Sequence, residues 1–217
     1  ALTGKLFPTG NVKDVLDVPD VGKIELTVID AANPVILVPA AALGLSGLEI
    51  DEVDNDASIR QRLENIRCAV SVEIGLTETM EEATLRSQAV PKITFISAAK
   101  TYQTVDGKTI EETDVDLVGR FMSMGTLHKS YAVSGAVSTV GAMMIPGTVA
   151  HDLLKPGADK KEMLSIGHPG GIIEVGAVIE ETNGTYHYRE AALGRTARRL
   201  MEGSVLVPEK YFNPHIS

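Results

Sequence analysis

The stretch 120–154, RFMSMGTLHKSYAVSGAVSTVGAMMIPGTVAHDLL, constrains this chain most. Residues 131–145 carry no charge at all. Ala, Val, Met, Ser, Gly and Thr fill every side of a helical projection, and a helix that is apolar all round is a buried helix. Its small residues (Ala132, Gly135, Ala136, Gly141, Ala142) let other backbones approach closely. Pro146-Gly147 then ends or kinks the run. It is too short, and too rich in Ser and Gly, to cross a bilayer. The pattern therefore predicts a helix over 131–145, threaded through a domain built of strands. Gly125-Thr126 and two basic residues, His128 and Lys129, stand just before it. A helix start with open N–H groups and basic side chains is a ready anion site. The same residues also fit a plain core helix whose His and Lys are merely solvated.

The rest of the chain supplies the strands. Residues 5–11 read as a strand end and a turn, and 12–19 as an edge strand closed by Pro19. In 23–30, Ile24, Leu26 and Val28 alternate with Lys23, Glu25 and Thr27, the period of a half-buried strand. Asn33-Pro34 breaks it, and 35–38 is a short buried run. Asn33 would sit at a strand end with its amide open to a ligand, or bonded to its own backbone in an Asx-turn. Residues 40–53 look like a loop. Asp54-Asn55 is the expected N-cap of a helix reaching about Ile74, with Ile59, Leu63, Ile66 and Val70 on one stripe. Cys68 lies off that stripe with no base beside it, so a nucleophilic role is not expected. Residues 77–89 read as an acidic loop with a helical turn, and 91–97 as a strand with Lys100 just past its end. Residues 116–124 form the strand that feeds the central helix. A strand over 163–166 meets Gly167-His168-Pro169-Gly170-Gly171, an anion nest or a bulge. Asn183-Gly184 between 172–180 and 186–191 is the strongest hairpin signal. A last short strand is expected at 204–208. Strands with two or three helices indicate an α+β domain.

Composition removes several functions. The formal net charge is -9 and no Lys/Arg-rich run occurs, so nucleic acid is not a partner. No signal peptide and no membrane span is expected, and the single cysteine fits a reducing, cytoplasmic setting. The five histidines are scattered without HExxH, and there is no GxGxxG, GxSxG or P-loop. No metal and no cofactor is expected. What remains is a set of anion-binding candidates: Asn33, Lys100, His128, Lys129, the 167–171 turn with His168, and Arg195. If they converge, the ligand is a small polycarboxylate or phosphate. Binding a carboxylate through N–H groups and cations acidifies its neighbouring C–H bonds, and proton transfer then needs one placed acid/base.

Several motifs recur in order in one known family. They are Leu6-Phe7-Pro8-Thr9-Gly10-Asn11, Ser123-Met124-Gly125 with His128, Gly167-His168-Pro169-x-Gly171, and Arg195-Thr196-Ala197-Arg198-x-Leu200-Met201-x-Gly203. Over essentially its whole length the chain resembles the PrpF family of 2-methylaconitate cis-trans isomerases, methylitaconate Δ-isomerases and 4-oxalomesaconate tautomerases. The resemblance implies a diaminopimelate epimerase-like fold, with a curved mixed sheet wrapped around a central buried helix. It implies a cofactor-independent isomerase of small unsaturated di- and tricarboxylates. Met124, Gly171 and the other motif residues are then expected at the substrate. Asn33-Pro34 resembles the substrate-contacting Asn-Pro of diaminopimelate epimerases, and Ser134-Gly135 stands where their second domain has a catalytic Cys-Gly. The thiol is absent, which argues against an amino-acid epimerase with two thiols. Gly125-Thr126-Leu127-His128 also lacks the lysine of the family's Gly-Lys-x-His.

Family members are about twice this length, and the chain resembles their C-terminal half. Residues 1–20 are expected to end the N-terminal domain and 21–217 to form the C-terminal one. The catalytic acid/base, unidentified here, is expected in the N-terminal half, without which the isomerase would be inactive. Expected partners are an anionic carboxylate and that N-terminal half; a homo-oligomer stays open. The competing reading is a non-catalytic carboxylate-binding module acting beside an aconitase-like enzyme.

Overall fold

The computed structural model describes residues 2–194 and 198–211. Residues 2–13 run irregularly into β1 (Asp14–Val18), followed by β2 (Gly22–Asp30) and β3 (Pro34–Pro39). Three helices come next: α1 (Asp51–Asn55), α2 (Ala57–Glu73) and α3 (Met80–Arg86). Then follow β4 (Lys92–Ala98), the short pair β5 (Tyr102–Gln103) and β6 (Thr109–Ile110), β7 (Leu117–Ser123) and β8 (Thr126–Leu127). The central helix is α4 (Val133–Met144), and β9 (Leu164–His168), β10 (Gly171–Thr182) and β11 (Thr185–Leu193) follow it.

Among the described residues, nine strands join in the order β1-β2-β3-β4-β7-β9-β10-β11, with β8 added to β7. The pairs β3–β4 and β7–β9 are parallel and the others antiparallel, so the sheet is mixed. Residues 14–18, in the segment expected to end a preceding domain, are hydrogen-bonded into this sheet as its edge.

The sheet separates two cores. Val35 and Leu37 of β3 face α4, while Ile36 and Val38 face α2. A strand buried on both faces reads as an unbroken apolar run, which is why 35–38 shows no alternation. On the α2 side, Ile59, Leu63, Ile66 and Val70 are all buried, as their stripe indicates.

On the other side the sheet curls around α4. A side chain at Gly141 would lie 2.6 Å from Tyr188 of β11 and 3.5 Å from Ile29 of β2. Those strands stand near opposite ends of the strand order, so one helical residue measures how far the sheet has closed. The Phe7 ring meets Tyr186 of β11 edge-on at 6.4 Å, and Asp30 N–H donates to Leu6 O at 2.8 Å, so the irregular 2–13 segment covers the gap.

Four local expectations need correction. The N-cap of α2 is Asp56, whose carboxylate accepts from Ser58 N (2.7 Å) and Ile59 N (3.3 Å). Asp54 belongs to α1 and spends its carboxylate on Leu127 N at 2.8 Å, a contact across 73 residues. Second, the 77–89 loop contains a true helix, α3, because Thr79 and Glu82 form a reciprocal cap: Glu82 N–H donates to Thr79 Oγ1 and Glu78 N–H to Glu82 Oε2. That helix covers Cys68, which is buried against Glu64, Arg67 and Thr84 rather than facing water, and burial pushes its thiol pKa up. Third, 167–171 is not a bulge but the tight turn joining β9 to β10. Fourth, 204–208 forms no strand; Leu206 is 96 % exposed and has no pairing partner there.

Gly135 is where α4 comes closest to the sheet: a Cβ there would sit 2.2 Å from Phe121 Cε2. Gly135→Ala should therefore lower stability by about 1–3 kcal/mol through overpacking. Phe121→Leu in the same chain should recover part of that loss, a coupling that a double-mutant cycle in urea reads directly. An unchanged urea midpoint for Gly135→Ala would show that the ring yields freely.

Candidate functional site

Two short turns meet beside the start of α4. The first is 128–131, after the β7–β8 hairpin; His128 N–H donates to Phe121 O at 2.8 Å, which holds it against the sheet. The second is the 168–171 turn, placed alongside because β9 pairs with β7, Val118 opposite Gly167. Their backbones touch: a Cβ on Gly170 would lie 2.9 Å from Lys129 O. An open cleft of about 630 Å³ borders this junction, lined by Ser130, Tyr131, His168, Asp114, 172–174 and 193–194.

Each turn is pinned by a histidine in the same way. His128 Nδ1 accepts from Ser130 N–H at 3.1 Å, and His168 Nδ1 accepts from Gly170 N–H at 3.1 Å. An Nδ1 that accepts leaves the proton of the neutral ring on Nε2. His168 is 7 % exposed, and its pKa falls to about 4: burial acts most, then the charge of Arg120, then His128, against a backbone hydrogen bond to Ile172. His168 is thus a neutral Nε2–H donor near neutral pH.

The next residues enter the helix. The N-cap of α4 is Ala132, which has no side chain to cap with, so the N–H groups of Val133, Ser134 and Gly135 are left to other acceptors. Ser134 is half-buried and Gly135 buried in that first turn. Tyr131, directly ahead, is buried, with its hydroxyl 3.1 Å from Thr94 Oγ1 and 3.0 Å from Thr139 Oγ1.

Other expected site residues lie elsewhere. Lys129 Nζ pairs with Asp51 at 3.0 Å and stands 3.9 Å from Asp54, so its charge is already answered by α1. Lys100 Nζ donates to Ser46 O. Ala98 pairs opposite Leu117 and Thr94 opposite Phe121, so Lys100 leaves the sheet four residues away from His128, about 13 Å along the strand. Met124 tips the β7–β8 hairpin with φ 48° and lies over α2, beside Arg60, Glu64 and Gln88. Asn33 O accepts from Ser138 Oγ at 3.2 Å, in the second turn of α4, and its half-buried amide forms no hydrogen bond among the described residues. Gly171 opens β10 and accepts from Tyr102 Oη at 2.6 Å. Arg195 lies outside the described residues.

The structure therefore brings together His128, the backbone of Lys129, Ser134, Gly135, His168 and Gly171, and leaves Lys100 and Met124 apart. Sequence reasoning missed Ser130, Tyr131, Tyr102 and Arg120. Only Arg120 left a signal, a charge inside the apolar strand LVGRFMS. Among the described residues no group of three or more His, Cys, Asp or Glu is placed to hold a metal ion. No helix of the described residues is long and apolar enough to cross a membrane.

The family model described as "PrpF protein" matches residues 1–208. The chain belongs to the PrpF family. It is 40 % identical over 207 residues to the 2-methyl-aconitate isomerase of Shewanella oneidensis, covering 95 % of this chain and 51 % of that protein. It is 41 % identical over 209 residues to the 3-methylitaconate isomerase of Eubacterium barkeri, covering 95 % and 53 %. The crystal structure of a methylitaconate-delta-isomerase superposes with a TM-score of 0.81 at 38 % identity, covering 94 % of this chain and 51 % of that one. The α+β fold with its sheet around a buried helix is thus shared with a PrpF-type isomerase. The chain spans about half the length of these relatives.

His168 ties the site to folding. Its pKa is about 4 in the fold against an ordinary 6.5, so between those values the unfolded chain binds more protons than the native one. Stability from this group is complete above pH ~6.5 and is lost as pH falls toward ~4, on the order of 3 kcal/mol at most. His168→Asn should remove that slope. Urea melts of both proteins through this window should diverge as pH rises, and parallel curves would show that His168 is not held neutral.

Proposed function

We propose that this chain forms the carboxylate-binding wall of a cofactor-independent isomerase. Its substrates would be small unsaturated di- or tricarboxylates of the methylaconitate, methylitaconate or oxalomesaconate kind. The observation that carries this reading is the meeting of the 128–131 and 168–171 turns at an open cleft, beside a helix start whose first N–H groups have no side-chain cap. The names of the relatives support the substrate class.

The chemistry follows from the donors. Removing a proton from carbon next to a carboxylate builds negative charge on the carboxylate oxygens. Fixed N–H donors that already point there lower that barrier, because they need no reorganisation. On this reading His128 Nε2–H and the N–H groups of Val133, Ser134 and Gly135 are such donors, while His168, whose ring hydrogen-bonds the Ile172 backbone, holds the turn beside them. None is a strong base. The buried His168 resists protonation, and among the described residues no activating base bonds Ser134. Asp114 and Glu174 at the cleft edge are exposed carboxylates. We assign the main acid/base to the half of the family architecture that this chain does not span, with residues 1–20 as the connection to it.

The sites separate by affinity. His128→Ala should weaken trans-aconitate binding about tenfold, the worth of one hydrogen bond to a charged ligand. Lys100→Ala, far along the strand, should leave it unchanged. Titration calorimetry giving the reverse pattern would move the site to the other end of the sheet.

Activity separates the halves. The 217-residue chain should bind methylaconitate yet exchange none of its protons in D2O by NMR, since losing one member of an acid–base pair costs about 100- to 10,000-fold. Exchange at the rate of an intact family member would place the base inside this chain. Binding that never becomes exchange, even with a preceding half supplied, would favour the accessory-module reading.

A further inference from the structure

The largest side chain among the fully buried ones is a cation, Arg120, at 0 % exposure. It lies on β7, where faces alternate. Leu117 and Phe121 join the α4 core and Gly119 packs on Tyr131, whereas Val118 and Arg120 point to the opposite side, toward Tyr102. Arg120 Nε donates to Glu49 O at 2.9 Å, Nη2 to Leu48 O at 3.2 Å and Nη1 to Gly119 O at 3.2 Å. Among the described residues it forms no ion pair, and burial lowers its own pKa to about 10.

Three carbonyls hold the guanidinium in place, yet they do not answer its charge. Burying a cation that has no ion pair, only the more distant attraction of the Glu49 charge, is costly, and neutral donors could serve the same carbonyls without that cost. The charge itself therefore calls for a use. The guanidinium sits 5.3 Å over the Tyr102 ring. The Tyr102 hydroxyl in turn lies 2.6 Å from Gly171 O and 3.1 Å from His168 O, and a Cβ on Gly167 would strike the ring at 2.8 Å. Arginine, tyrosine and turn thus form one stack.

We propose that Arg120 is a positioning residue for the cleft: through Tyr102 it fixes the His168–Gly171 turn, and its unpaired charge makes the turn receptive to an anion. The other cations nearby cannot supply this. Lys129 is engaged by Asp51 and Asp54, Lys161 by Asp116 at 2.6 Å, and Lys100 is turned to Ser46. The cleft itself carries Asp114 and Glu174, and the chain as a whole is at -9. The groups that act on His168 are Arg120 and His128, both against its protonation. Arg120 therefore also keeps His168 a neutral donor. The anion part of this inference rests on the function proposed above; the positioning part does not.

The experiment follows the His168 imidazole by NMR from pH ~8 to ~5 in wild type, Arg120→Met, Arg120→Lys and Tyr102→Phe. His168 should stay neutral across this range in wild type and Arg120→Lys. In Arg120→Met its midpoint should rise by about one pH unit or more. Tyr102→Phe should leave the titration in place but speed amide exchange at Gly170 about tenfold, because the turn loses its anchor. Trans-aconitate affinity should drop about tenfold in Arg120→Met and stay within about threefold in Arg120→Lys. An unchanged His168 titration in Arg120→Met, or unchanged Gly170 exchange in Tyr102→Phe, overturns the proposal. If Arg120→Met fails to fold, Arg120→Lys decides: protonation of His168 there shows that the fork geometry, not the charge, mattered. Wild type that binds no trans-aconitate sinks the function proposed above, while the titration still judges Arg120.

Discussion

The structure depends on how closely one helix can approach a curled sheet. α4 has no charge to anchor it and no side chain to cap it. It is held by contact alone, and contact is possible because two of its residues have no side chain. Gly135 admits the Phe121 ring, and Gly141 lies between Tyr188 and Ile29. Interiors are packed as densely as organic crystals, so such approaches are not tolerant of extra atoms. The same closeness decides where the helix begins. With Phe121 seated on Gly135, the preceding residues must leave the sheet at His128–Tyr131, and the helix start opens where those residues turn.

The site inherits its geometry from that packing. β7 carries both sides of it: Phe121 positions the helix, and Arg120 on the opposite face positions the turn. The parallel pairing of β9 with β7 then sets the 168–171 turn against the backbone of Lys129. Two histidines, each accepting a backbone N–H two residues on, pin the two turns that meet at this junction. One of them is kept neutral by burial and by Arg120, a buried cation with no ion pair among the described residues. In such a place donors outweigh charges, which suits an anion whose own charge must move during a reaction.

The acidic surface and the anion-binding reading do not conflict. A net charge of -9 is a property of the whole surface and is screened within about 8 Å at physiological ionic strength. A buried cation beneath a turn acts at short range and is screened far less. On the proposed function, selectivity for a carboxylate would be local, built from Arg120, the imidazoles and the helix start, while the exposed lysines near it are paired with their own acidic neighbours.

Much of the fold was legible in the residues alone. The uncharged run marked a buried helix, the alternation in 23–30 and the apolar run in 35–38 marked strands, and Asn183-Gly184 marked a hairpin that the structure contains. These features rest on local chemistry: period, propensity and turn residues act within a few positions. His128 and His168 were singled out the same way, and Gly171 by its place in the family motif. What tertiary structure alone decided is which of the polar residues would meet. Asp54 looked like a cap and instead binds Leu127 N; Lys129 looked available and is held by α1; Lys100 looked like a cleft residue and leaves the other end of its strand. Arg67 lies off the apolar stripe of α2 and is nevertheless buried, donating to Ala83 O and Ser87 O to fasten α3 over Cys68. Tyr102 gave no sign of reaching the 168–171 turn, because that contact spans 66 to 69 residues and exists only once the sheet has curled. Periodicity records which face of an element is buried; it carries no record of the partner across the gap, and for long polar side chains the partner decides the role.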